Sequence, residues 1–167
     1  MALGGLLTCS ALAVQAQQTD FCDAITAILR DAPNKFRDIR GKKINASQSA
    51  LVWESGIKVP GTIASRFVAQ SGIFYQGAVF QTRDIYDLKD EYLKYKKILD
   101  ACLLPKGMTL SASDNFKPGL SQYKKLSYLP PLEGEASLEK MTGHVAMDVD
   151  YSKDTGYYTI LIFIYEH

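Results

Sequence analysis

Ile85-Tyr86-Asp87-Leu88-Lys89-Asp90-Glu91-Tyr92-Leu93-Lys94-Tyr95-Lys96-Lys97-Ile98-Leu99-Asp100-Ala101-Cys102 is the stretch that decides the fold. Ile85, Leu88, Tyr92, Tyr95, Leu99 and Cys102 recur at alternating spacings of three and four over about five turns, so they share one face of a helix. That face has to be buried, with Cys102 on the buried stripe. Asp84, Asp87, Asp90 and Glu91 crowd the first half while Lys94, Lys96 and Lys97 occupy the second, the polarity that a helix dipole favours. The charge run is therefore read as support for the helix and not as a binding surface.

Strands lie on both sides of this helix. Before it, Leu51, Trp53, Ser55, Ile57 and Val59 alternate with polar neighbours up to Pro60-Gly61, a dipeptide suited to a type II turn. A second strand is expected from Thr62 to Gln70 and, after Ser71-Gly72, a third from Ile73 to Thr82, giving an antiparallel meander. After the helix, Leu104-Pro105-Lys106-Gly107 is a stop. Strands are expected at Met108 to Ser113 and at Leu120 to Tyr128, the latter read as an edge because Lys124-Lys125 interrupts it. Pro130-Pro131 to Gly143 reads as a loop. A closing hairpin follows: Val145, Met147, Val149 and Tyr151 alternate against His144, Asp148 and Asp150, and Ser152 to Gly156 make the turn. The last strand, Tyr157 to Tyr165, is apolar on both faces, Tyr158, Ile160, Ile162 and Ile164 on one and Tyr157, Leu161, Phe163 and Tyr165 on the other. Such a strand is expected in the centre of a sheet, covered on both sides.

Further towards the N-terminus, Thr19 or Asp20 is expected to cap a helix whose Phe21, Ile25, Ile28 and Leu29 form one stripe, stopped by Pro33-Asn34. Phe36 and Ile39 are expected to plug the core, and Gly41-Lys42-Lys43 to open a polar linker. The first eighteen residues carry no charge, and Leu3-Gly4-Gly5-Leu6-Leu7 runs through Ala11-Leu12-Ala13 to Val14-Gln15-Ala16. A short apolar core followed by small residues three and one positions before a cut is a secretory signal, expected to span residues 1–16 and to leave residues 17–167 as a single domain. No Lys or Arg precedes the apolar run. Leu6-Leu7-Thr8-Cys9 also approximates a lipobox, although Thr stands where a smaller residue is expected, so a lipoprotein through Cys9 is a minor variant.

Processing after Ala16 leaves Cys22 and Cys102 as the only cysteines, and an even pair in an oxidising compartment should bridge. The start of the first helix would then lie beside the end of the second. Both stripes would face the same sheet, with the helices roughly antiparallel.

Charge excludes some functions. A formal net charge of +1 with 22% charged residues builds no strong field, so a nucleic-acid partner is not implied. Arg37, Arg40, Lys42 and Lys43, like Lys124 and Lys125, are read as solvated surface. No stretch of the mature chain is long and apolar enough for a transmembrane helix.

Candidate chemistry is sparse. Asp148, Asp150, Ser152 and Asp154 place oxygen at positions 1, 3, 5 and 7 of a loop that starts like an EF-hand calcium site, but Lys153 stands where the turn needs Gly and no Glu closes the loop. A polar hairpin turn accounts for the same residues. His144 and His167 are the only histidines. His144, Asp148 and Asp150 share a strand face and are the weak candidates for a small hydrolase, although no Gly-x-Ser-x-Gly elbow accompanies them. Two histidines and a bridged cysteine pair make no zinc site, and no cofactor motif occurs. Asn45-Ala46-Ser47 is a glycosylation sequon. Tyr75, Tyr123, Tyr128, Tyr151 and Tyr157 either fill the core, the favoured reading, or leave an amphipathic patch of the kind used at interfaces.

Phe36-Arg37-Asp38-Ile39-Arg40-Gly41, the Pro60-Gly61 turn and Ala101-Cys102-Leu103-Leu104-Pro105-Lys106-Gly107 together resemble the layout of small secreted bacterial α+β proteins of unknown function. The order helix, three-stranded meander, helix, strands is similar at the fold level to type III secretion chaperones, an analogy that implies a sheet with helices and carries no function to a secreted chain. The expectation is an α+β domain with an antiparallel sheet of six to seven strands and two helices on one face. The protein is expected to be exported to a bacterial periplasm or beyond. It is expected to work as a non-catalytic binding or interaction module for a protein or other macromolecule of the envelope. A hydrolase using His144, Asp148 and Asp150, and a calcium-stabilised surface protein, are the alternatives.

Overall fold

In a computed structural model, which describes residues 8–46, 50–131 and 143–166, the chain forms an α+β domain with one antiparallel sheet and two helices. Helix α1 runs over Thr8–Asp31 and α2 over Ile85–Leu103. The strands are β1 Arg40–Ala46, β2 Leu51–Ser55, β3 Ala64–Ala69, β4 Ile73–Thr82, β5 Thr109–Ser113, β6 Lys125–Leu129, β7 His144–Ser152 and β8 Tyr157–Tyr165. They lie in the order β1-β2-β3-β4-β8-β7-β6-β5. The meander β1 to β4 and the group β5 to β7 are thus joined through the last strand.

One face of this sheet carries the core. Trp53, Phe67, Tyr75, Ile164, Val145, Tyr128 and Leu110 are successive cross-strand neighbours from β2 to β5, and all belong to the cluster that contains Ile25, Ile28 and Leu29 of α1 and Leu88, Tyr92, Tyr95 and Leu99 of α2. Period two along strands and period 3.6 along helices meet in that layer. Each fully buried aliphatic side chain there contributes about 1.5–3 kcal/mol. Phe36 is fully buried, its ring 5.1 Å from that of Phe67, and Ile39 packs on the same cluster, so both plug the core as expected.

Helix α2 is pinned as well as packed. The Asp84 carboxylate caps it by accepting from the Tyr86 N–H at 2.8 Å. Two of its tyrosines reach strands or loops with their hydroxyls: Tyr92 donates to the Lys124 carbonyl at 2.8 Å and Tyr95 to the Val79 carbonyl at 3.0 Å. From the other side Tyr123 donates to the Ile85 carbonyl at 3.0 Å and Tyr128 to the Asp100 carboxylate at 2.7 Å. Buried phenols need such partners, and here they tie the helix to the sheet at both ends. Cys22 and Cys102 are joined, their Cα atoms 5.3 Å apart across 80 residues of sequence.

Several expectations need correction. The sheet has eight strands, because Gly41-Lys42-Lys43 belongs to β1; its pairing with β2 slips twice, which an alternation of side chains cannot signal. β2 and β3 are shorter than their apolar patterns, since Gly56 to Ile63 form the connection. β6 is not an edge: it begins at Lys125 and pairs with β5 and β7, so β5 is the edge. Helix α1 is not capped at Thr19 or Asp20, because Ala11 to Gln18 are mostly good helix formers and the helix continues through them from Thr8. Cys22 therefore lies within α1 and not at its start. The loop read over Pro130-Pro131 to Gly143 has residues 132–142 outside the described residues, as does His167. The Asn45-Ala46-Ser47 sequon runs into residues 47–49, also outside them.

Candidate functional site

The second face of the sheet has no helix on it among the described residues. Val52, Val68, Phe74, Tyr165 and His144 are consecutive cross-strand neighbours from β2 to β7 and form an apolar row along one end of this face. Apart from buried Val68 they are half-buried. Their rings cover one another: Phe74 lies 5.4 Å from Tyr165 and 6.0 Å from Phe163, and His144 stacks on Tyr165 at 4.5 Å with 14° between planes. Cross-strand aromatic pairs of this kind stabilise a sheet while leaving ring edges to solvent. Burial raises the pKa of Tyr165, and the carboxylate of Asp148 adds to the effect.

Polarity rises along the strands from that row. The next one contains Glu54, Arg66, Gln76, Phe163 and Ala146, with the Arg66 Nε–H donating to Gln76 Oε1 at 2.9 Å. Beyond it Asp148 and Asp150 face the loop that follows β5. Lys117 reaches Asp148 at 3.2 Å and Asp150 at 3.1 Å, and Lys125 reaches Asp148 at 3.3 Å. Asn115, almost fully buried, donates to Asp148 Oδ1 and to the Val149 carbonyl. Burial works against the charge of Lys117, but Asp150 and Asp148 outweigh it and hold the pKa above the ordinary lysine value.

The structure thus puts His144, Asp148 and Asp150 on one face, as expected, but not into one site. Asp148 lies four positions along the strand from His144, about 13 Å of rise. His144 stacks on Tyr165 while both carboxylates are held by lysines. Ser152 Oγ accepts from the Thr155 N–H at 3.4 Å within the turn, and Asp154 is exposed there. Among the described residues no group of three or more His, Cys, Asp or Glu side chains is placed to hold a metal ion. Grooves open on the helix side among the described residues. One, of about 490 Å³, is lined by Phe21, Pro60, Tyr95 and Ile98 with Lys94 and Lys97, and another, of about 400 Å³, by Ile85, Tyr86, Tyr92, Leu93 and Tyr123. Neither contains His144, Asp148 or Asp150.

Of the tyrosines considered for a surface patch, Tyr75, Tyr123 and Tyr128 are buried in the core. Tyr157 lies beneath the Arg83 guanidinium at 4.5 Å, and Tyr151 is exposed against Tyr158. The rings that come together on the second face are instead the half-buried Phe74, Phe163, Tyr165 and His144. Their signal in the sequence was the two-sided apolarity of β8, which alone does not say whether a second layer covers it.

No family model, curated protein or solved structure matches the chain. Among the described residues no helix is long and apolar enough to cross a membrane.

Proposed function

We propose that the chain is an exported, non-catalytic binding module and that its recognition surface is the helix-free face of the sheet around Val52, Phe74, His144, Phe163 and Tyr165. The observation that carries this reading is the aromatic row itself: a contiguous apolar strip on a face that has no helical layer among the described residues, graded into Arg66, Gln76 and the Asp148 cluster. Interfaces share that composition, with aromatic anchors at the centre and a polar rim. The partner is a protein or other macromolecule of the cell envelope. The uncharged leader and the Cys22–Cys102 pair at bridging distance support a location outside the cytoplasm.

Capture from the native envelope tests the proposal, comparing wild type with Phe74→Ser/Tyr165→Ser and with Tyr86→Ser, a change at an exposed tyrosine on the opposite side of the domain. A partner retained by wild type and Tyr86→Ser but lost from the double variant, with an unchanged circular dichroism spectrum, is the expected result. Equal capture by all three would overturn the assignment of the surface. Export is read separately, from intact mass: the protein isolated from its host should begin at Gln17.

A further inference from the structure

The two outer strands of the sheet differ in how they meet solvent. β1 carries Arg40, Lys42 and Lys43, and its pairing with β2 is irregular at two points. Charges and bulges are the devices by which edge strands refuse another strand. β5 has neither. Thr109-Leu110-Ser111-Ala112-Ser113 contains no charge and no proline and pairs with β6 in unbroken register over all five residues. Four of the five residues are exposed and Leu110 is half-buried. Among the described residues, β5 makes hydrogen bonds only to β6. The backbone groups on its outer side are therefore a template for a further strand.

We infer that the occupant of this edge is β5 of a second copy of the chain, paired antiparallel about a twofold axis at Ser111. A closed symmetric contact requires a self-complementary surface, and this strand supplies one. Pairing about Ser111 sets Thr109 opposite Ser113, Leu110 opposite Ala112 and Ser111 opposite itself, so a larger residue meets a smaller one and no like charges meet. The flanks agree, since exposed Lys106 precedes the strand and exposed Asp114 follows it, and an antiparallel copy brings the basic end of one strand to the acidic end of the other. Asp114 pairs with Lys124 in its own chain, so the flanks help to set direction more than strength. The same operation on β1 would set Lys43 against Lys43. A five-residue edge buries less than the ~1,200–2,000 Å² of a standard stable interface, so the dimer is a weak one that forms at high concentration. It leaves the aromatic face free in both copies and is independent of the binding proposed there.

Sedimentation equilibrium of the folded protein from micromolar to about millimolar concentration tests the inference. Wild type should show a reversible monomer–dimer equilibrium, and Lys43→Asp should leave it unchanged. Ser111→Lys and Ser111→Asp should each weaken association at least tenfold, because identical charges then face each other on the axis, while an equimolar mixture of the two should dimerise again. A monomer at every concentration would overturn the inference and leave the edge to a strand from another protein. So would self-association that survives both single variants, or a mixture that stays as weak as its components.

Discussion

The two faces of the sheet are made by alternate residues of the same strands, yet one is sealed and the other half-open. On β8, Ile160, Ile162 and Ile164 have almost no exposure, while Leu161, Phe163 and Tyr165 between them are only partly covered. The residue types hardly differ. What differs is the second layer: α1 and α2 close the first face, whereas among the described residues the rings of the second pack on one another without a helix over them. Apolarity along a strand thus reports a wish to be covered, and the topology decides whether another element or a neighbouring ring does it.

Neighbours in sequence break or sharpen this contrast most directly. Ile162→Ala leaves a cavity under both helices and should cost about 2–5 kcal/mol in urea unfolding, whereas Phe163→Ala, one residue on, should cost about 1 kcal/mol. Equal costs would mean that the second face is as closed as the first. The bridge tests the helical layer itself. Cys22→Ser with Cys102→Ser should lower stability by about 2–4 kcal/mol with the far-ultraviolet spectrum intact, because the link constrains an unfolded loop of 80 residues.

The covered face should also fail in alkali. Burial pushes the phenols of Tyr75 and Tyr92 up to about 12, with the charge of Asp148 adding at Tyr92 and the Lys124 carbonyl contact offsetting a little. Burial and the Asp100 carboxylate raise Tyr128 as well. Folded-state values above the ordinary tyrosine pKa of 10.0 mean that the stability held by these groups is complete below pH 10 and is lost as pH rises through about 12. Absorbance at 295 nm followed with circular dichroism should show ionisation and unfolding together in that window. Ionisation of all the tyrosines well before unfolding would argue against the pinned layer.

A smaller effect is expected at Tyr75, whose ring lies over Gly77 so closely that a Cβ there would sit 2.8 Å from its hydroxyl. That hydroxyl is buried and among the described residues makes no hydrogen bond of full geometry, with Ser65, opposite Gly77 on β3, offsetting only part of the effect of burial on its pKa. Tyr75→Phe should therefore be neutral or stabilising by up to about 1 kcal/mol, whereas the same change at Tyr95, which donates to the Val79 carbonyl, should destabilise by about 1 kcal/mol. The smallest effect belongs to the open face. Millimolar calcium should leave the melting temperature unchanged, since Asp148 and Asp150 already hold Lys117 and Lys125; a rise lost in Asp148→Ala would establish a metal site there.

The helices, the meander, the final hairpin and the cysteine pair were legible because each leaves a local or arithmetic trace. The stripe through Leu88, Tyr92, Tyr95 and Leu99 is periodic, Ile73–Thr82 is bounded by turn residues, and only two cysteines follow Ala16. β1 was missed because an irregular edge rich in lysine has no alternation. β6 was taken for an edge because Lys124-Lys125 looks like edge protection, when Lys124 pairs with Asp114 before the strand and Lys125 with Asp148 across it. The aromatic row was illegible for a deeper reason: Phe74, His144 and Tyr165 come together through strand order, which no single segment encodes.

That order also sets a schedule. β8 is the last strand in the chain but lies between β4 and β7, and its contacts with β4 join residues about ninety positions apart, as in Phe74 with Tyr165. A chain that emerges with its N-terminus first carries two unsatisfied inner edges until residues 157–165 arrive. Loop closure over that distance is slow, and both waiting strands carry an apolar face, so this is the interval in which two chains would pair wrongly. A stop codon shortly after Ser152 would accordingly yield two unjoined half-sheets, prone to aggregate, and not a slightly smaller domain.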